Sequence, residues 1–110
     1  MPLEAGRVYK LEYLPSARQD MIEIVRYISR ELGNPQAAER LAVRLIEAGE
    51  SIPVFPYANP AYYPIRPLKH EYRKLLVDNY MMFYWVDEAV KTVTIARVLY
   101  AKREYEKLLK

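Results

Sequence analysis

Arg66, Lys69, His70, Arg73 and Lys74 crowd one short stretch of the chain, and Arg97, Lys102, Arg103 and Tyr105 follow near its end. Cleavage of RNA through its own 2′-hydroxyl needs a base, an acid and cations that stabilise the phosphorane charge. In such a site His70 is the candidate base, Arg73 and Arg103 the charge stabilisers, and Tyr105 a proton donor. Lys69, His70, Lys74, Arg97 and Lys102 form a broader set suited to holding a polyanionic or acidic target. Each residue also has a plainer role. His70 can sit in a loop turn, Arg73 can lie on a strand edge, and Tyr105 can anchor a terminal helix. Arg97 lies inside an apolar run, where a structural ion pair with Glu12 or a helix carboxylate competes with a ligand contact.

Other chemistries find no support. The three glycines, Gly6, Gly33 and Gly49, are isolated, so no glycine-rich phosphate loop exists. There are no cysteines, and His70 as the one histidine cannot build a zinc site. No Ser-His-acid order stands out, although a spatial triad is not visible in sequence. The expectation is that neither a cofactor nor a metal is used.

These residues need a sheet to position them. Val8 to Leu14 reads as a strand, with Tyr9, Leu11 and Tyr13 on one face. Pro15 stops it, and Ser16 with Gln19 has capping-box spacing for a helix start. Met21, Ile24, Val25, Ile28 and Leu32 follow at helical steps until Gly33 provides a left-handed stop. Asn34 and Pro35 read as the next N-cap and first helical position. Ala38, Leu41, Ala42, Leu45 and Ile46 carry that helix to Ile52, where Pro53 forbids extension. So short a connection predicts an antiparallel helix hairpin.

The segment from Pro53 to Pro67 holds five prolines, those two included, among Phe55, Tyr57, Tyr62 and Tyr63. That segment cannot supply a regular ladder of N–H donors, so it reads as a strap covering one end of the core. Three strands follow: Tyr72 to Val77, Tyr80 to Val86 and Thr92 to Val98. Asp78-Asn79 serves as a tight hairpin turn and Glu88 to Lys91 as a second turn. Alternation points Arg73 and Lys74 to opposite faces. Lys102 to Leu109 suggests a short last helix. The reading is α+β: strand, helix hairpin, three-stranded antiparallel meander and short helix.

At 110 residues the chain suits a single domain, 1–110, and its 52% hydrophobic content argues against disorder. A net charge of +3 is mild, so any nucleic-acid contact should be local, and an acidic partner also fits. No apolar run approaches a membrane span, and the first residues lack the apolar core of a signal peptide. A soluble, cytoplasmic protein without a membrane partner is expected.

The order of elements, the helix pattern ARQDMIEIVRYISRELGNPQAAERL, the segment EYRKLLVDNYMMFYWVDE and the ending TIARVLYAKREYEKLL resemble the RelE/ParE toxin superfamily. These are the toxins of bacterial type II toxin–antitoxin pairs, and the likeness runs from Val8 to Leu109. It implies a cognate antitoxin that wraps and blocks the toxin. It also implies one of two targets, ribosome-bound mRNA for RelE-like nucleases or DNA gyrase for ParE-like poisons. By local match Arg73 falls where RelE-like enzymes carry a catalytic lysine. Leu75 and Met81 fall at or near two further basic positions, and neither can stabilise phosphorane charge. Arg103 and Tyr105 stand for the C-terminal basic and tyrosine positions, at a different spacing. The two absent cations and the helix hairpin lean toward the ParE-like branch. The alternatives are a RelE-like endonuclease and a degenerate module that binds antitoxin without poisoning anything.

Overall fold

A computed structural model describes residues 8–64, 67–102 and 108–109. Strand β1 (Lys10–Tyr13) is followed by helices α1 (Pro15–Arg26) and α2 (Pro35–Ser51). Strands β2 (Arg73–Val77), β3 (Tyr80–Asp87) and β4 (Thr92–Tyr100) complete one four-stranded sheet in the order β1-β4-β3-β2. The meander β2–β3–β4 is antiparallel, whereas β1 pairs with β4 in parallel, Lys10 opposite Thr92 through Tyr13 opposite Ile95. The expected α+β arrangement is therefore the one observed. Its last helix falls largely outside the described residues, though Leu109 is buried in the core.

Local chemistry explains most of the boundaries. Asn34 caps α2 by accepting the Ala37 N–H at 3.1 Å, with Pro35 in the first turn. Gly33 takes φ +60° between the helices, as its lack of a Cβ allows. Asp78 adopts φ 54° in the β2–β3 turn, while Lys91, at φ 49°, closes the turn before β4. The start of α1 differs from the sequence reading. Pro15 lies inside the first turn, and no side chain caps the helix. Between the helices, Tyr27–Glu31 widens into a π-helical turn that no residue pattern announced.

Alternation divides the sheet into two faces. Leu75, Val77, Met82, Tyr84, Val93, Ile95 and Val98 meet the helix hairpin through Ala17, Leu41, Leu45 and Ile52. Tyr72, Phe83, Ala96 and Leu99 face the other way, packed with Tyr62, Leu68, Trp85 and Leu109. Side chains such as Tyr84, Phe83 and Leu45 are fully buried, each contributing about 1.5–3 kcal/mol. By contrast, the Arg44–Asp78 bridge, which ties α2 to the β2–β3 turn, is exposed on both sides and contributes about 0–1 kcal/mol. The core carries this fold. Gly49 lets α2 lie close to the sheet, because a Cβ there would collide with the Tyr13 hydroxyl and sit 3.2 Å from Ile95 Cδ1.

One seam needs more than apolar packing. Strand β1 ends at Tyr13, but β4 runs on to Tyr100, and a one-residue bulge at Ala96 shifts its register against Phe83 and Tyr84. Helix α1 completes the edge that β1 leaves. The Ser16 hydroxyl donates to the Ala96 carbonyl at 2.7 Å, and the Asp20 carboxylate accepts the Val98 N–H at 2.9 Å. The same carboxylate receives Arg97 Nε at 2.7 Å and Nη2 at 2.9 Å. Asp20 and Arg97 side chains are only 11% and 23% exposed. Removing one partner of such a pair strands the other, so Asp20→Ala should cost about 3 kcal/mol and lower Tm by roughly 10 °C. Asp20→Asn keeps an acceptor for Val98 and should lose less. Thermal unfolding of both variants checks this, and an Asp20→Ala Tm equal to wild type would refute it.

Candidate functional site

The far face of the sheet, away from the helix hairpin, is where the structure gathers aromatic rings with cations. Trp85 sits on β3 opposite Thr94, on the same face as Phe83. The His70 imidazole stacks on the Trp85 indole with centroids 3.6 Å apart and planes 5° from parallel. Tyr72 meets both rings edge-on, at 6.1 Å from His70 and 5.8 Å from Trp85. Burial lowers the His70 pKa below its ordinary value, helped by the Lys69 charge beside it. Both effects favour the neutral ring. Lys74 shares this face, opposite Phe83, with its ammonium 5.8 Å from the centre of the Tyr62 ring. Tyr62 in turn packs edge-on against Phe83 at 5.6 Å.

Arg73 lies on the other side, as the strand period required. It shares the helix-side face with Leu75 and Val77, opposite Tyr84. Its guanidinium rests 4.8 Å from the centre of the Tyr57 ring and donates to the Asn59 carbonyl at 2.7 Å. Arg97 is held by Asp20, whose hydrogen bonds raise its pKa further, and it also reaches the Leu108 carbonyl at 3.3 Å. The partner is thus a helix carboxylate, not Glu12. Lys69 and Lys102 are exposed. Arg66, Arg103 and Tyr105 lie outside the described residues. His70 and Lys74 therefore come together on one face, and Arg73 is separated from them by the sheet.

The proline-rich strap fixes the far end of this arrangement. It supplies one isolated bridge, Ala61 to Arg73, flanked by Tyr62 N–H to the Tyr72 carbonyl at 2.8 Å and Lys74 N–H to the Pro60 carbonyl at 3.1 Å. The buried Tyr84 hydroxyl donates to the Pro56 carbonyl at 2.6 Å and accepts from Asn59. Pro53 and Pro56 of the strap are buried beside Ile52, whereas Phe55 and Tyr63 are 71% and 87% exposed. The strap covers the core with prolines and turns part of its aromatic surface outward. Sequence reading also missed Glu88. This turn residue accepts from the Tyr57 hydroxyl, from the Tyr9 hydroxyl at 2.6 Å and from Lys91 Nζ at 2.5 Å. The one advance signal was an acid in a tight turn, three residues before Lys91.

Among the described residues no group of His, Cys, Asp and Glu could hold a metal, and no helix is long and apolar enough to cross a membrane. The aromatic partners Trp85 and Tyr72 were missed as site residues. The signal was present: Trp85 is the one tryptophan, at the end of an alternating set with Met81 and Phe83.

The architecture is that of the RelE/ParE toxins. It resembles the toxin of the chromosomal ParDE system of P. aeruginosa at a TM-score of 0.69 and 16% identity, covering 86% of this chain and 97% of that one. It resembles the RelBE2 toxin–antitoxin complex of Mycobacterium tuberculosis at 0.61 and 18% identity, covering 84% and 96%. The archaeal RelE–RelB complex of Pyrococcus horikoshii OT3 gives 0.60 at 13% identity, covering 86% and 97%. No curated protein matches the chain in sequence. Residues 11–105 match the family model of the ParE toxin of the type II toxin–antitoxin system parDE, and the chain belongs to that family.

Lys91, Tyr57 and Tyr9 together hold the Glu88 carboxyl down at about 2, and Glu88 pushes the Tyr57 phenol up to about 12. For the carboxyl, the folded value lies below the ordinary 4.5, so its contribution is full above pH 4.5 and fades as pH falls toward 2. For the phenol, the contribution is present below pH 10 and fades as pH rises toward 12. Glu88→Gln at pH 7 should therefore loosen the strap, seen as faster hydrogen exchange at amides of residues 54–62. Unchanged protection there would show that the latch holds nothing.

Proposed function

We propose that this chain is a growth-arresting toxin that binds DNA gyrase and is silenced by a cognate antitoxin. One observation carries the choice of target. Leu75 and Met81 stand near and at positions where a RelE-like nuclease would have basic residues, and both pack against apolar clusters, on opposite faces of the sheet. Neither site offers a charge to a phosphorane, and Arg73, the remaining match among the described residues, is engaged with Asn59 and Tyr57. The ParE family match from residue 11 to 105 supports the same reading. Purified toxin should inhibit supercoiling by gyrase. Supercoiling unaffected at saturating toxin would overturn this target. Codon-positioned cuts on programmed ribosomes would instead support the nuclease reading.

The neighbouring RelBE complexes motivate the antitoxin, and the outer face of the helix hairpin suits it best. A groove of about 430 Å³ runs there between Met21, Ile22, Val25, Ala42 and Ile46, rimmed by Arg26 and Arg30. Ile22 and Ile46 are half exposed, and neither arginine has an ion pair among the described residues. An amphipathic helix with acidic flanks would complement both features. The double variant Arg26→Glu/Arg30→Glu should bind the antitoxin at least tenfold more weakly at low salt, chiefly through slower association. Equal affinity by calorimetry, for this variant and for a folded Ile46→Asp, would exclude the hairpin face.

A further inference from the structure

We propose that His70, Trp85 and Tyr72 form a stacking platform for one unpaired base of a single-stranded nucleic acid. The platform does not depend on gyrase being the target.

The rings are built to stay in place. Tyr72 is 4% exposed and stands at the entry to β2, while Trp85 is fixed within β3 between two paired strands. Its edge-on contacts to both neighbours make Tyr72 a wall for the His70–Trp85 stack. One face of the imidazole lies on Trp85, and no ring among the described residues covers the other. A base laid on that face would extend a two-ring column to three, without displacing any ring among the described residues. The neutral state of His70, favoured by its burial, avoids desolvating a charge when the base arrives.

Charge sets the direction of the strand. Lys69 adjoins His70 and is exposed, and Lys74 lies on the same face, so cations flank the column on its β2 side. On the β1 side Glu12 lies two strands from Trp85, paired with Thr94, and would repel a phosphate. Asp87 on β3 is turned to the Ala89 and Val90 N–H groups of its own turn. A strand would therefore run along β2. Aromatic stacking with flanking lysines accepts any base and favours single strands over a duplex, whose bases are already stacked.

Trp85 is the one tryptophan, so its emission reads this site alone. The test titrates the full chain at low salt with a 12-nucleotide single-stranded RNA, the matching single-stranded DNA, the DNA duplex and inorganic polyphosphate. We expect saturable change of Trp85 emission with a single strand, and binding about tenfold tighter than for duplex or polyphosphate. Response to RNA alone would identify the source as RNA. Response to DNA alone would identify unpaired DNA, and response to both would mean that the sugar is not read. By anisotropy of a labelled strand, His70→Ala should bind about tenfold more weakly with an unchanged Tm, and His70→Phe should restore affinity. The proposal is overturned if emission does not change, if polyphosphate competes equally, or if His70→Ala binds as tightly as wild type. Supercoiling inhibition measured on the same His70→Ala protein separates a failure here from a failure of the gyrase reading.

Discussion

Asp20 stands in for a strand that the sheet lacks. The last backbone bond from the β1 side is Leu14 N–H to the Ile95 carbonyl at 2.9 Å, while β4 runs on, and a buried polar group left unmade costs about 1–3 kcal/mol. The Asp20 carboxylate takes the Val98 N–H and the Arg97 guanidinium, while Ser16 takes the Ala96 carbonyl. These bonds fix where α1 lies against the sheet, and hence where the whole hairpin lies. They also draw Arg97 away from any ligand and, through its reach to the Leu108 carbonyl, tie the end of the chain to the same node. One carboxylate thereby joins helix, bulged strand and terminus.

The same node explains which parts of the fold were legible in sequence. Gly33, Asn34 and Pro35 act within their own turn, and their chemistry could be read locally. Ser16 has the spacing of a capping residue, yet its hydroxyl goes to Ala96, 80 positions away. A strong tertiary acceptor outcompetes the local N–H groups, and nothing near Ser16 reveals it. The parallel pairing of β1 with β4 was hidden for a similar reason. A strand's own pattern gives its faces but not its neighbour.

At the candidate site the sequence overstated charge and understated rings. Arg73, Lys74 and Arg97 stand out in a one-dimensional reading because they interrupt apolar runs. In three dimensions Arg73 rests on Tyr57 and Lys74 lies over Tyr62, whereas Arg97 pairs with Asp20. Each long side chain covers apolar surface with its stem and finds an electron-rich group for its head. Tyr57 and Tyr62 belong to the strap, whose prolines made it look like a mere covering. The opposite orientation of Arg73 and Lys74 was legible, since it needs only the two-residue period of a strand.

That period also weighs on the reaction this scaffold can perform. A nuclease must bring a base and several cations to within hydrogen-bonding reach of one phosphate. Here His70 and Arg73 belong to opposite faces, and moving Arg73 would break its bond to Asn59 and its contact with Tyr57. Losing a hydrogen bond and a cation–π contact costs on the order of 1–2 kcal/mol, and the sheet itself would still intervene. Binding needs no such rearrangement. Lys74 and the His70–Trp85 stack already lie on one face, supported by strands that the Asp20 node holds in register. A protein that acts by holding its target uses this structure as it stands, whereas one that cuts RNA with His70 and Arg73 would first have to take the site apart.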